Sequence, residues 1–144
     1  MIRPASMAKL LPGTLLAIML VAGSAAAQEA QPEEPFTPER FAALQAENAL
    51  ILLDVWADWC PVCAQQQKVL ARYRETRPDV PLHTLVIDFD DQKEYVRQFD
   101  APRQSTLILY QGEERVWFSV AELREEVIFA ALDAAARTSQ TSRQ

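Results

Sequence analysis

Apolar and polar positions follow two rhythms along this chain, and the changes of rhythm mark its elements. Residues 49–56 are apolar except for Asp54, and so continuous a run predicts a strand buried on both faces, as in a parallel sheet. From Pro61 the spacing becomes helical: Val62, Val69, Leu70 and Tyr73 fall inward, Gln65, Gln66, Lys68, Arg72 and Arg74 outward, and Pro78 stops the helix. Residues 82–88 and 106–110 read as further strands. Residues 115–118 read as a short fourth strand, paired back across the turn Gln111-Gly112-Glu113-Glu114.

Helix signals fill the gaps. Thr37-Pro38 is an N-cap followed by proline at the first helical position, predicting a short helix that buries Phe41 and Leu44 and ends near Asn48. Asp90 or Asp91 is placed to cap a helix through Phe99, with Tyr95, Val96 and Phe99 as its buried side. Ser119-Val120-Ala121-Glu122 has the form of a capping box opening a last helix to about Ala136, with residues 137–144 a frayed tail. This order predicts an α/β domain with a four-stranded mixed sheet, helices on both faces and a right-handed crossover between the first two strands.

The N-terminal region changes the picture of the whole. Within residues 1–27, Arg3 and Lys9 precede an apolar stretch over 10–21, and Ala25-Ala26-Ala27 forms a cleavage site before Gln28, the pattern of a secretory signal. An uncleaved membrane anchor is the competing reading, and Pro12, Gly13 and Thr14 break the apolar run against it. Residues 28–35, acidic and without periodicity, read as a flexible linker to a domain over 36–136. The first 27 residues hold two bases and no acid, so their removal leaves 12 Lys and Arg against 20 Asp and Glu in 117 residues, a formal charge of −8. Such a balance excludes nucleic acid as a natural partner.

Cys60 and Cys63 are the only cysteines, and they stand where the first strand hands over to a helix. Unpaired N–H groups and the positive end of the helix dipole stabilise a thiolate there. In an exported chain a structural disulfide is the alternative, but a bridge three residues long removes little unfolded-state entropy, about 1 or 2 kcal/mol. The spacing therefore favours a pair that opens and closes.

The segment Leu53-Asp54-Val55-Trp56-Ala57-Asp58-Trp59-Cys60-Pro61-Val62-Cys63 resembles the active-site segment of thioredoxins, and residues 36–136 match that fold with its N-terminal strand absent. The exported setting makes the chain similar to periplasmic thioredoxin-like proteins that reduce or exchange disulfides in secreted proteins. The resemblance implies that Cys60 is the exposed nucleophile, that Cys63 resolves the mixed disulfide, and that Asp54 is the buried acid moving the proton of Cys63. It further implies a substrate surface made of Trp59, Pro61, Val62, Gln104, Ser105 and Thr106. Asp58 reads as a solvated charge. The implied partners are protein disulfides and a redox donor or acceptor protein, which for an exported monomer includes one held in the membrane, with no cofactor and no resident metal.

Three positions depart from the family pattern. Ser105 stands where thioredoxins carry a cis-proline, and because a cis bond before a non-proline residue costs about 2.5 to 4 kcal/mol, a trans bond is expected. Pro102, three residues earlier, does not fill the role. The last hairpin is short, and Thr84 replaces the lysine that neighbours the buried acid, leaving Asp54 without its usual cation. The rival functions are a Cu(I) metallochaperone, with His83 joining the two thiolates, and a thioredoxin-like adaptor without turnover.

Overall fold

A computed structural model describes residues 33–141, and the side chains through Ser139. The signal over 1–27, residues 28–32 of the linker and the end of the tail lie outside the described residues. Nine elements follow in order: β1 (Glu33–Pro35), α1 (Pro38–Ala46), β2 (Leu50–Trp56), α2 (Pro61–Thr76), β3 (Leu82–Asp88), α3 (Lys93–Gln98), β4 (Thr106–Gln111), β5 (Glu114–Val120) and α4 (Glu125–Thr141). The strands form one mixed sheet in the order β1-β3-β2-β4-β5. β1 and β2 run parallel to β3, whereas β4 is antiparallel to β2 and β5 to β4.

β2 lies at the centre, and its continuous apolar run is explained by burial on both sides. Ile51, Leu53 and Val55 point to one face, where Phe41, Leu44, Val96 and Phe99 of α1, α3 and its C-cap close a core. Leu50 and Leu52 point to the other, against Val69, Leu70 and Tyr73 of α2 and Ile128 and Leu132 of α4. Side chains alternate along a strand, so Asp54 shares the face of Leu52 and points under α2. That alternation places an acid beneath the helix that carries the cysteines. No helix among the described residues is long and apolar enough to cross a membrane.

The α/β architecture stands as expected, with five corrections. The N-terminal strand is present: Glu33, Glu34 and Pro35 pair with Thr84, Leu85 and Val86, so the sheet has five strands and the linker stops short of residue 33. Its acids read as part of a flexible linker because the bases that neutralise them are brought up only by folding, Arg74 on Glu33 at 2.8 Å and Arg40 on Glu34 at 2.9 Å. The last hairpin is longer than expected. Ser119 and Val120 continue β5 opposite Leu107 and Thr106, so they do not open a helix.

Helix α4 therefore begins at Glu125, with the Glu122 carboxylate receiving the N–H groups of Leu123 and Arg124 just ahead of it. It runs to Thr141, through the stretch expected to fray, with Ala135, Ala136 and Ser139 buried. Finally, α3 begins at Lys93 without a side-chain cap. The turn before it is organised by Asp88, whose Oδ1 accepts the N–H groups of Asp90 and Asp91 at 2.8 Å each.

Candidate active site

Cys60 is the N-cap of α2: its backbone is extended at φ −91° and ψ 111°, and its Sγ accepts the N–H of Cys63 at 3.2 Å. Pro61 follows at the first helical position, where a missing N–H costs nothing. Both cysteines are reduced. Cys60 is 3% exposed and Cys63 fully buried, so the nucleophile expected to be exposed is instead the less enclosed of two covered thiols. Burial raises the proton affinity of Cys60, but hydrogen bonds from Cys63, from the Ser105 hydroxyl and from backbone N–H groups outweigh it and bring the thiol below its ordinary value. Burial pushes the Cys63 thiol up, and the neighbouring Cys60 sulfur pushes it further. The two sulfurs thus differ in the sense that a nucleophile and a resolving thiol require.

Ser105 faces them from the start of β4. Its Oγ lies 3.1 Å from Cys60 Sγ and 3.2 Å from Cys63 Sγ, and the residue is fully buried. The described chain holds no cis peptide bond, so the bond before Ser105 is trans as expected. The residue nevertheless takes a positive φ of 62°, a conformation that costs a non-glycine residue about 1 kcal/mol or more. Its N–H donates to Val55 O at 2.8 Å, and its carbonyl accepts the N–H of Ala121 at 2.8 Å and the Gln66 amide at 3.3 Å. Gln66 also donates to Glu122 O at 3.0 Å.

Gln66 is therefore a correction: expected outward, it is completely buried and ties α2 to the loops on either side of β4 and β5. The signal was available in its spacing, since positions 63, 66, 69 or 70 and 73 form one inward stripe. Gln67, one residue on, donates to Asp54 from above. Neither glutamine carries an apolar signature, and the amide N–H groups of each donate to groups distant in sequence, while Gln66 Oε1 has no partner.

Asp54 is 1% exposed, and one of its carboxylate oxygens has no hydrogen-bond partner. Burial lifts its carboxyl to about 7, helped by the charge of Glu33 and opposed by Arg74 and by the Gln67 amide. The expected lack of a cation is corrected here. Thr84 is uncharged, but Arg74 reaches across from α2 to bond Thr84 Oγ1 at 3.1 Å and Glu33 at 2.8 Å, and its charge bears on Asp54. A cleft of about 460 Å³ is lined by Glu33, Trp56, Val86 and Gln67, the residue that donates to Asp54.

The remaining expected residues divide. Trp59 is 57% exposed, and its indole N–H donates to Asp90 at 2.6 Å, which holds the ring at the rim instead of packing it inside. Pro61 is exposed, and Val62 and Gln104 are half-buried, so these three reach the surface near the dithiol. Thr106 does not: it is fully buried, and its hydroxyl donates to Arg103 O at 2.7 Å, shaping the loop before β4. Ser105 is likewise under the sulfurs and not at the surface. Asp58 is exposed, as a solvated charge is.

The donor set for the metallochaperone reading is not assembled. His83 pairs with Ile51 near the start of β2, five residues before the Trp56 and Asp88 pair, hence about 16 Å down the sheet from the cysteine end. Among the described residues no three His, Cys, Asp or Glu side chains converge to hold a metal.

Comparison with known proteins agrees with this geometry. The family model of thioredoxin matches residues 34–139. The crystal structure of Trxlp from Edwardsiella tarda EIB202 is 36% identical, with a TM-score of 0.66, covering 70% of this chain and 98% of that one. Thioredoxin H-type of Brassica campestris is 27% identical over 85 residues, 59% of this chain and 68% of its own length. The oxidised mitochondrial thioredoxin 3 from Saccharomyces cerevisiae, 16% identical with a TM-score of 0.58 over 67% of this chain and 88% of its own, shares the fold. With the dithiol at the head of α2, an acid beneath it and a family match across the described domain, this chain belongs to the thioredoxin family.

Proposed function

We propose that the protein is an exported thiol-disulfide oxidoreductase that reduces disulfides of protein substrates through Cys60 and Cys63. The observation that carries the reading is the asymmetry of two free thiols at one helix N-terminus: Cys60 is the N-cap whose Sγ accepts the Cys63 N–H and whose pKa lies below its ordinary value, and Cys63 is fully buried with its pKa above its own. The Cys60 thiolate attacks one sulfur of a substrate disulfide: a new S–S bond forms to Cys60, the old one breaks, and the first substrate thiolate leaves and takes a proton from water. Cys63 then gives up its proton, for which Asp54 is the acceptor, and attacks Cys60 Sγ. The Cys60–Cys63 bond forms, the mixed disulfide breaks, and the second substrate thiolate departs. Two electrons have passed from the protein to the substrate, and a dithiol donor returns them.

An acid that changes protonation near neutral pH suits the second step, since it can both hold and release a proton there. Trp59, Pro61, Val62 and Gln104 form the surface that receives the substrate, being the exposed or half-buried groups around the sulfurs. Export rests on the signal pattern over residues 1–27, and the periplasm is the compartment it implies. In that compartment the donor is a redox protein presented from the membrane or in solution beside it.

Reduction of insulin by dithiothreitol, followed as turbidity, tests the activity. The protein is expected to shorten the lag and steepen the rise, and Cys60→Ser to abolish the effect. Equal traces with and without the protein would remove the reading.

A further inference from the structure

The Ser105 hydroxyl is a buried polar group spent entirely on the two sulfurs. It lies within hydrogen-bond reach of both, at 3.1 and 3.2 Å, and these are the bonds the structure gives it. Its placement is not incidental to the chain path. Ser105 sits at φ 62°, and Ala121, which donates to its carbonyl, sits at φ 54°, so two residues without glycine's freedom are held in the left-handed region against each other. Val55 of β2, Gln66 of α2 and Ala121 in the loop after β5 fix the backbone of Ser105 from three sides. A conformation that unfavourable persists only where its surroundings over-determine it, and what it delivers is one hydroxyl between two thiols.

A hydroxyl has one proton to donate and lone pairs to accept with. When Cys60 is the thiolate, the hydroxyl donates to it and accepts from the Cys63 thiol, an arrangement both contacts allow. Once Cys60 is bonded to a substrate sulfur it carries no charge, and when Cys63 loses its proton the anion lies 3.2 Å from the same oxygen. Rotation about the serine C–O bond then turns the donor to Cys63, with no bond broken and no electron moved.

Resting on the oxidoreductase reading above, we propose that Ser105 is a catalytic residue whose hydroxyl donates in turn to the Cys60 and Cys63 thiolates, stabilising the attacking sulfur in both half-reactions. Proline could make neither bond. The reaction so assisted remains the exchange already balanced: the hydroxyl keeps its proton throughout.

Ellman's reagent separates the two halves, because attack by Cys60 releases one thionitrobenzoate and attack by Cys63 on the mixed disulfide releases a second. The full-length protein is compared with Ser105→Ala and Ser105→Gly by stopped flow at pH 7. Both variants lack the hydroxyl, and glycine also accepts the positive φ without strain. Losing a hydrogen bond to a charged group lowers the thiolate population about tenfold or more, and the greater nucleophilicity of a more basic thiolate offsets about half of that, so both phases are expected to slow about three- to tenfold in both variants.

If either phase keeps its wild-type rate in both variants, or if Ser105→Gly matches the wild type while Ser105→Ala is slow, the shared-donor role is overturned. In the second case residue 105 would be acting through backbone shape alone. A wild-type protein that releases no second thionitrobenzoate would instead overturn the oxidoreductase reading, so the two failures are distinct.

Discussion

Asp54 shows how one residue couples stability to chemistry. Its carboxyl is raised from 3.8 to about 7, chiefly by burial, so between those values the native protein holds a proton that the unfolded chain has released. Stability linked to this group therefore falls as pH rises from about 4 to about 7 and stays low above. At 1.36 kcal/mol per pH unit the full loss is on the order of 4 kcal/mol. Asp54→Asn keeps an acceptor for the Gln67 amide and has no charge to desolvate. We expect it to unfold at higher temperature than the wild type at pH 8, by an amount reflecting about 2 to 4 kcal/mol, with the advantage vanishing near pH 4. A difference independent of pH would contradict the assignment. The same substitution is expected to slow resolution of the mixed disulfide, because the proton of Cys63 loses its acceptor.

At the scale of elements, α2 is the part on which everything else hangs. One face packs Val69, Leu70 and Tyr73 into the core, while Gln66, Gln67 and Arg74 reach from the same side to the Ser105 loop, the acid and β1. Arg74 joins Glu33 of β1 to Thr84 of β3 in a partly buried bridge and opposes the rise in the Asp54 carboxyl. Arg74→Met keeps most of the side-chain volume but removes the cation. Amide hydrogen exchange of Glu34 and Phe36 is expected to quicken about fivefold, the effect of losing a bridge worth about 1 kcal/mol, and Asp54 to titrate higher still. Unchanged exchange in β1 together with an unchanged Asp54 titration would show that Arg74 is only a surface charge.

These elements also show what could be read in advance. β2, α2, β3 and β4 were legible because each follows a single rule, an apolar run of strand length or a 3.6-residue stripe behind a proline. The dithiol was legible because it is local, with both sulfurs and the N-cap inside four residues. β1 was not, being three residues long and two of them acids whose partners, Arg40 and Arg74, are fixed only by folding. Gln66 read as outward because its bonds go to residues 105 and 122, and the start of α4 was misplaced because Ser119-Val120-Ala121-Glu122 satisfies a capping pattern that pairing with β4 overrides.

For the whole molecule, the sheet sets the geometry of reaction. Central β2 ends at Trp56, β4 begins at Thr106 beside it, and the loops leaving these strands bring Cys60 and Ser105 together across 45 positions. The proposed export makes a prediction at the N-terminus. Protein recovered from its own host is expected to begin at Gln28 on N-terminal sequencing, and a chain still beginning at Met1 would contradict export by a cleaved signal.

The central claim is a reversible two-electron couple between Cys60 and Cys63. Equilibration of the full-length protein in glutathione buffers of graded potential, followed by acid quench, alkylation and intact mass measurement, tests it most directly. The account predicts one reversible transition between a form with both cysteines alkylated and a form with neither, the same from either starting state and abolished in Cys60→Ser. Persistence of both free thiols at the most oxidising ratio, or a disulfide that no thiol excess reopens, would contradict it.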